Sequence, residues 1–254
     1  MIVSVAQTQV YILAVTRVLA ILIKIPVLGG KLIPNQVKAG LGLLLALIIL
    51  PAGSLSPETE PMALLPFAFA IGEELLIGTL AGFAAEITFS ALQIAGEMMG
   101  LTSGFFAAKM LNPVFNTQGS PLTNFFYMMA LAYFVILNGH HQLLIAVRRS
   151  FEILPTSGVL PQMPLEQLLR LTGGMITTGV RMSLPIVGAL MLTNLTLGLL
   201  ARVAPQIQVF FLGIPLKVGL GLLALMVTMS SLLPIVAEMY DQSADWMVAL
   251  IGGG

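Results

Sequence analysis

The sequence has 254 residues, of which 57% are hydrophobic and only 9% are charged, with 11 basic side chains, 11 acidic side chains and no cysteine. Soluble domains carry about 25% charged residues to keep their surfaces hydrated, so this chain has too few to cover a water-facing surface. The balanced charge provides no basic surface for nucleic acid, and a chain without cysteine can form neither a disulfide nor a thiolate metal site. The composition therefore predicts an integral membrane protein.

Seven apolar stretches follow one another along the chain, and several exceed the ~18 residues that favour a membrane helix. They lie at about 10–28, 37–55, 62–85, 87–108, 123–137, 173–200 and 209–236. Only Glu86 separates the third from the fourth, so these two predict either one long bent helix or two helices. The runs are apolar all round rather than alternating, which favours helices over a β-barrel. We expect an all-α membrane protein with about six to seven long apolar helices.

The links between these stretches are rich in proline and glycine, and their charges bear on orientation. Lys24, Lys31 and Lys38 surround the first link with no acidic residue, which predicts that it faces the cytoplasm. Arg202, after the sixth stretch, also favours the cytoplasm, as do the arginines at 148–149 before it. Because one apolar stretch clearly separates these basic groups, simple threading back and forth across the bilayer does not satisfy the charge distribution.

Seven charged residues lie in or between the apolar stretches, where ionisable groups usually face protein or water. They are Arg17, Lys24, Glu73, Glu74, Glu86, Glu97 and Arg181. Glu86 and Glu97 are eleven residues apart, which places them on nearly one face of a continuous helix. They fit a polar stripe lining a pore or proton path. They also fit ion pairs with Arg17, with Arg181 or with a neighbouring subunit, or positions at helix ends. Glu86, Glu97 and Arg181 are the candidate buried charges.

Glycines recur at four-residue spacing in two places. Gly78 and Gly82 form one small-xxx-small motif, and Gly96, Gly100 and Gly104 form two overlapping ones. Such motifs let membrane helices approach backbone to backbone. They predict tight helix packing, within the chain or at a subunit interface.

Sequence motifs of catalysis are missing. There is no G-x-S-x-G, no Walker loop and no H-E-x-x-H. The pair His140–His141 has neither a cysteine nor a nearby carboxylate to complete a metal site. We expect no enzymatic activity, no metal and no cofactor.

A specific pattern lies in Ala201–Lys217, which reads ARVAPQIQVFFLGIPLK. With the basic link Lys24–Lys38 (KIPVLGGKLIPNQVK), the run Gly96–Ala108 (GEMMGLTSGFFAA) and the chain length, it resembles the FliR family of flagellar type III export-gate proteins. That family is related to the SctT-type component of virulence secretion systems, and we favour the flagellar branch. The resemblance covers essentially the whole chain, although Gln208 stands where asparagine is common in the family.

The resemblance implies one FliR-like domain over residues 1–254. Residues 1–154 would form FliP-like helices with a central plug loop at 105–122, and residues 165–254 a FliQ-like helical hairpin. The chain would join FliP and FliQ in a hetero-oligomeric pore of the flagellar basal body, in the lipid of the bacterial inner membrane. Unfolded flagellar proteins would pass through it, driven by FlhA and FlhB.

The first site that the resemblance implies is the plug of the closed pore, whose bulky apolar side chains would block passage. Residues 112–113 and 119–121 would stop helix formation and let the loop project inward. Composition alone fits an ordinary interhelical turn equally well. The residues assigned to the plug are Phe105, Phe106, Met110, Asn112, Pro113 and Phe115.

The second implied site is the hairpin turn at 201–217, which would meet FlhB and neighbouring FliQ subunits. Arg202 and Lys217 would face the cytoplasm, and the prolines at 205 and 215 would break the helices. Gln206 and Gln208 would donate side-chain hydrogen bonds to backbone groups freed by the turn. The alternative is a self-contained turn without a partner. The residues assigned to this site are Arg202, Pro205, Gln206, Gln208, Pro215 and Lys217.

A different class of function also fits the composition. A stand-alone secondary transporter or channel would bind a small solute near mid-membrane and use Glu73, Glu86 or Glu97 for ion coupling. Matching half-chains, which many such transporters have, are not visible in the sequence.

Overall fold

A computed structural model describes residues 4–30, 33–50, 60–105, 119–156, 165–206 and 208–252, apart from the side chain of residue 210. Within these ranges the chain forms helices and no strands, which confirms the all-α prediction. The helices are α1 (Val5–Lys24), α2 (Pro26–Gly29), α3 (Asn35–Ile49), α4 (Leu64–Thr102), α5 (Pro121–Ile136), α6 (Gly139–Ile153), α7 (Leu165–Val203) and α8 (Val209–Gly252).

Four helices of the described ranges are long and apolar enough to cross a membrane, namely α1, α4, α7 and most of α8. The pair α5 and α6, bent by 72°, makes a fifth if it counts as one span. This is fewer than the six to seven long apolar helices that the sequence predicts. One reason is that the stretches on either side of Glu86 form a single 39-residue helix, α4. At ~1.5 Å per residue such a helix is about 58 Å long, so it must tilt or extend beyond a hydrocarbon core ~30 Å thick.

The start of α1 follows from its first four residues. The Ser4 hydroxyl accepts a hydrogen bond from the Gln7 backbone N–H (3.2 Å), and the Gln7 side chain accepts one from the Ser4 N–H (3.0 Å). This capping box satisfies two backbone donors at the helix start. The helix ends just before Pro26, which opens the single turn α2.

One compact unit comprises Met1–Ile87, Phe134–Thr172 and Tyr240–Gly254. In it, α1 packs on α3, where the Tyr11 hydroxyl donates to the Leu43 carbonyl (2.7 Å), and on α4. A Cβ added to Gly78 would lie 2.6 Å from the Arg17 carbonyl oxygen, and one added to Gly82 would lie 2.6 Å from Lys24 Cβ. These two glycines therefore permit the close approach of α4 to α1 within one chain.

The Arg17 side chain makes four hydrogen bonds to described residues of that unit, and it is fully buried. Its Nε and Nη2 both pair with the carboxylate of Glu74. Its Nη1 donates to the carbonyls of Ser150 (2.9 Å) and Leu154 (2.7 Å) at the end of α6, and its guanidinium lies 4.4 Å from the centre of the Phe151 ring. A cation at a helix C-terminus complements the helix dipole, so Arg17 joins α1, α4 and α6.

The second compact unit comprises Thr88–Tyr133 and Gly173–Met239. The second half of α4 packs on α7, where a Cβ at Gly179 would lie 2.8 Å from the Ala91 carbonyl oxygen. It also contacts α8, since the Thr88 hydroxyl donates to the Met239 carbonyl (3.3 Å). Buried apolar side chains from these helices fill the core, among them Phe89, Leu92, Met99, Phe126, Ile186 and Leu190.

The helices α7 and α8 form an antiparallel hairpin in this unit. A Cβ at Gly213 would lie 3.2 Å from Leu197, and one at Gly221 would lie 3.7 Å from Leu190. The expectation that Pro215 breaks a helix is wrong, because Pro215 lies inside α8. A proline removes one intrahelical hydrogen bond, and membrane helices tolerate this loss when local adjustment or neighbours satisfy the freed group.

Candidate functional site

The candidate site lies in the second unit, where the chain leaves α4 and returns at α5. On the near side of the residues at 106–118, Gly104 has φ +82°, and on the far side Gly119 has φ +85°. Side chains with a Cβ rarely adopt this left-handed region, so glycine is the natural residue at both ends. Phe105 is half-buried.

Glu97 connects α4 to the start of α5. One of its carboxylate oxygens, Oε2, accepts hydrogen bonds from the Ser120 backbone N–H (3.3 Å) and the Thr123 hydroxyl (2.5 Å). The Ser120 hydroxyl in turn accepts from the Thr123 N–H (3.1 Å), as in an N-cap serine, and Pro121 takes the first helical position. Glu97 therefore stabilises the point at which the chain re-enters a helix.

Two glycines of α4 lie beside these hydrogen bonds. A Cβ at Gly96 would lie 2.7 Å from Thr123 Cα, and one at Gly100 would lie 2.0 Å from the Ser120 hydroxyl oxygen. The motif of Gly96 and Gly100 thus brings α4 against residues 120–123 of the same chain. We call Gly96, Glu97, Gly100, Ser120 and Thr123 the loop base, since they join the two ends of the intervening loop.

A cavity of about 300 Å³ lies between Gly104 and the hairpin. The wall is mostly apolar, with Lys217 as its charged member. It is lined by Gly104, Asn194, Leu197, Gly198, Ala201, Val209, Gly213, Ile214 and Lys217. The structure thus brings Gly104, which directly precedes the predicted plug, and Lys217 of the predicted hairpin site to the same cavity.

The turn between α7 and α8 presents its polar groups outward. Arg202, Pro205, Gln206 and Gln208 are exposed, as is Pro215 further along. The Gln208 carbonyl starts α8 by accepting from the N–H groups at 211 (3.0 Å) and 212 (3.4 Å). The expectation that the Gln206 and Gln208 side chains bond to the turn stays a prediction, because residue 207 lies outside the described residues. Both side chains are exposed.

The remaining plug residues, Phe106, Met110, Asn112, Pro113 and Phe115, lie outside the described residues. The candidate charges lie in different settings. Glu86 is half-exposed, 3.7 Å from Lys24, Glu97 belongs to the loop base, and Arg181 is exposed on α7.

Sequence reasoning missed several groups that the structure brings together. Among the described residues Arg17 forms a buried ion pair with Glu74; the sequence identified both as charges in apolar stretches but did not pair them. The capped start of α5 at Ser120 and Thr123 could have been predicted, because Ser-Pro-x-Thr before an apolar run is typical of a capped helix start. Asn194 and Gly198 carried none, because nothing in a single sequence indicates which face of α7 meets α8.

The fold defines a class of protein: an integral membrane protein that is helical throughout the described residues, with helices long and apolar enough to cross a membrane. A family of bacterial export proteins, described as "Bacterial export proteins, family 1", matches residues 8–243. The chain belongs to this family, which confirms the resemblance, and it is therefore a transport component rather than an enzyme.

Relatives match over most of their length. The flagellar biosynthetic protein FliR of Pectobacterium carotovorum is 30% identical over 243 residues, covering 92% of this chain and 91% of the relative. The FliR protein of Bacillus subtilis is 29% identical, covering 95% of each chain. The Yop proteins translocation protein T of Yersinia pestis is 28% identical, covering 85% of this chain and 84% of the relative. The match to this translocation protein supports the predicted relation to the SctT-type component.

Proposed function

We propose that this chain is a subunit of the flagellar type III protein-export gate in the bacterial inner membrane. With FliP and FliQ it would form the basal-body pore through which unfolded flagellar proteins leave the cell, with FlhA and FlhB supplying them. The observation that carries the proposal is the full-length similarity to FliR proteins. The described geometry supports it, because α4 and the start of α5 are held together by the Glu97 hydrogen bonds to Ser120 and Thr123, which suits the fixed base of a gate.

The large open face of the hairpin supports assembly with other helices. In the most apolar windows of α7 and α8, only 22% and 17% of residues are buried within the chain. The exposed side chains Arg202, Gln206 and Gln208 at the turn suit contacts with FlhB and FliQ. In this proposal residues 1–154 are the FliP-like part and 165–254 the FliQ-like hairpin.

In the proposed gate, residues 105–122 are the plug. The loop base holds its two ends together, so that the loop projects from a fixed point. The half-buried Phe105 is its first bulky residue, and the cavity between Gly104 and Lys217 gives the loop space to move as the pore opens. Phe106, Met110 and Phe115 would supply the other apolar stoppers.

A conductance measurement tests the plug. The triple variant Phe105→Gly, Phe106→Gly and Phe115→Gly should make the closed assembly leaky to ions in planar bilayers. Phe125→Gly, at an exposed position of α5 outside the loop, is the matched control and should stay closed. Unchanged conductance of the triple variant would sink the plug assignment.

A genetic experiment tests the function itself. Deleting the gene should abolish export of flagellar filament protein, and a plasmid copy should restore it. The alternative of a stand-alone transporter would be favoured if the purified chain alone moved a solute in liposomes. Two of its proposed coupling residues are already engaged, since Glu86 lies by Lys24 and Glu97 bonds to Ser120.

A further inference from the structure

Arg181 is a charge in an apolar span that has no ion-pair partner among the described residues. It lies three residues before Leu184, the midpoint of α7, and it is exposed. The ion pairs among the described residues involve Arg17, Lys24, Arg148 and Arg170, and none involves Arg181. An ionisable side chain within a membrane helix is costly against lipid and usually faces protein or water. What covers Arg181 must therefore accept its charge.

The residues nearest to Arg181 on the surface of α7 are glycine, threonine and proline. At ~100° per residue, those within two turns and about 40° of Arg181 are all exposed: Gly174, Thr177, Pro185 and Gly188. A Cβ at Gly174 or Gly188 would meet nothing within 4 Å. The Thr177 hydroxyl is already bonded to the Gly173 carbonyl of its own helix (2.8 Å). We call Gly174, Thr177, Arg181 and Gly188 the Arg181 face.

The other side of the same helix is already used. Gly179, Met182, Ser183, Ile186 and Leu190 are buried. Gly179 lies against α4, and the Ser183 hydroxyl reaches the Met98 sulfur (3.5 Å). The Arg181 face is thus part of the α7 surface that the described residues leave open.

We propose that the Arg181 face is the docking surface for a membrane helix of a different, neighbouring subunit, and that an aspartate or glutamate of that helix pairs with Arg181. The glycines on either side let the two backbones approach closely. A guanidinium can then hold a carboxylate through two parallel hydrogen bonds. A purely apolar helix would leave the charge unpaired, so the partner must be acidic at this level. The inference rests on the proposed function insofar as it needs a multi-subunit assembly.

A photo-crosslinking experiment identifies the occupant. The photoreactive residue p-benzoylphenylalanine replaces Leu184, an exposed neighbour of Arg181, in cells that express the whole export apparatus. We expect a crosslink to a membrane segment of another chain that carries an acidic residue within one turn. The same substitution at Ile176, exposed on a different side of α7, should give a different product or none. Crosslinks only to lipid, or to a second copy of this chain, would overturn the proposal.

Charge reversal then tests the pair. Arg181→Glu should lower the yield of the purified assembly about tenfold or more, since it places like charges together. Arg181→Lys should retain most of the yield, and exchanging the crosslinked carboxylate for arginine should rescue Arg181→Glu. Arg170→Glu is the matched control, because Arg170 is an exposed arginine of the same helix already paired with Glu166 (2.8 Å). It should change the yield less than twofold.

The outcomes separate this inference from the proposed function. If the wild-type chain forms no assembly with other export proteins, the proposed function fails first. If the assembly forms and Arg181→Glu leaves its yield unchanged, only the docking surface is refuted. Labelling of Leu184→Cys in the assembly by a membrane-impermeant maleimide would also refute it, because the face would then line water. The natural chain has no cysteine to interfere.

Discussion

Replacing Arg17 with methionine tests the buried ion pair between α1 and α4. Glu74, which is only 3% exposed, would lose both of its hydrogen bonds to the guanidinium. Removing one partner of a buried pair costs about 3–5 kcal/mol, because the other charge remains buried. The carbonyls of Ser150 and Leu154 would also lose a donor, which adds about 1 kcal/mol. We expect the free energy of unfolding to fall by about 4–6 kcal/mol.

The double variant Arg17→Met, Glu74→Met separates the pair from its surroundings. With both charges removed, the desolvation cost disappears, and the remaining loss is the donors to the α6 carbonyls, together about 1–3 kcal/mol. The double variant should therefore be more stable than either Arg17→Met or Glu74→Met alone.

Far-UV circular dichroism during denaturant titration in mild detergent micelles measures these free energies, by extrapolation to zero denaturant. Lys24→Met is the control, because it removes a solvent-exposed ion pair: Lys24 and Glu86 are 3.7 Å apart, with side chains 42% and 36% exposed. It should change the free energy of unfolding by about 0.5 kcal/mol or less. A double variant that loses as much as the two single variants combined would refute the reasoning, because independent sites add.

Three further predictions concern the loop base and its loop. Gly100→Ala should lower the free energy of unfolding by about 1–3 kcal/mol in the same titration, because its Cβ would lie 2.0 Å from the Ser120 hydroxyl oxygen. Gly198→Ala is the control and should leave the free energy of unfolding unchanged, because a Cβ there meets nothing within 4 Å. Equal effects of the two substitutions would contradict the account. Glu97→Ala should speed limited proteolysis within residues 106–118, because two hydrogen bonds at their far end are lost; an unchanged cleavage rate would count against the role of the loop base. Gly119→Ala should cost about 1 kcal/mol at its φ of +85°, and a stability equal to that of the natural chain would show that the backbone relaxes there.

The apolar stretches alone predicted where most of the helices lie. They did not predict whether neighbouring stretches form one continuous helix or two. Glu86 left one helix and two helices equally open, because a single glutamate does not break a helix. In the structure it stays within α4 and lies 3.7 Å from Lys24. The prediction that Pro215 ends a helix was wrong for a related reason. Proline usually ends helices in soluble proteins, whereas in a membrane helix the neighbouring helices can compensate for its missing hydrogen bond.

The candidate site was predictable where it is local and unpredictable where it is tertiary. The Ser120 cap could be predicted from the four consecutive residues 120–123, but the hydrogen bond from Ser120 to Glu97 joins positions 23 residues apart. The partners of Arg17 are further away, with Glu74 at a separation of 57 residues and Leu154 at 137. No periodicity relates such positions, so sequence reasoning found charges in apolar runs but not their pairing.

Native mass spectrometry tests the central claim most directly. The tagged chain would be extracted in mild detergent after co-expression with FliP and FliQ from the same host. The account predicts a single copy of this chain held in one large complex of defined mass that contains both partners. A monodisperse chain that binds neither partner would contradict it.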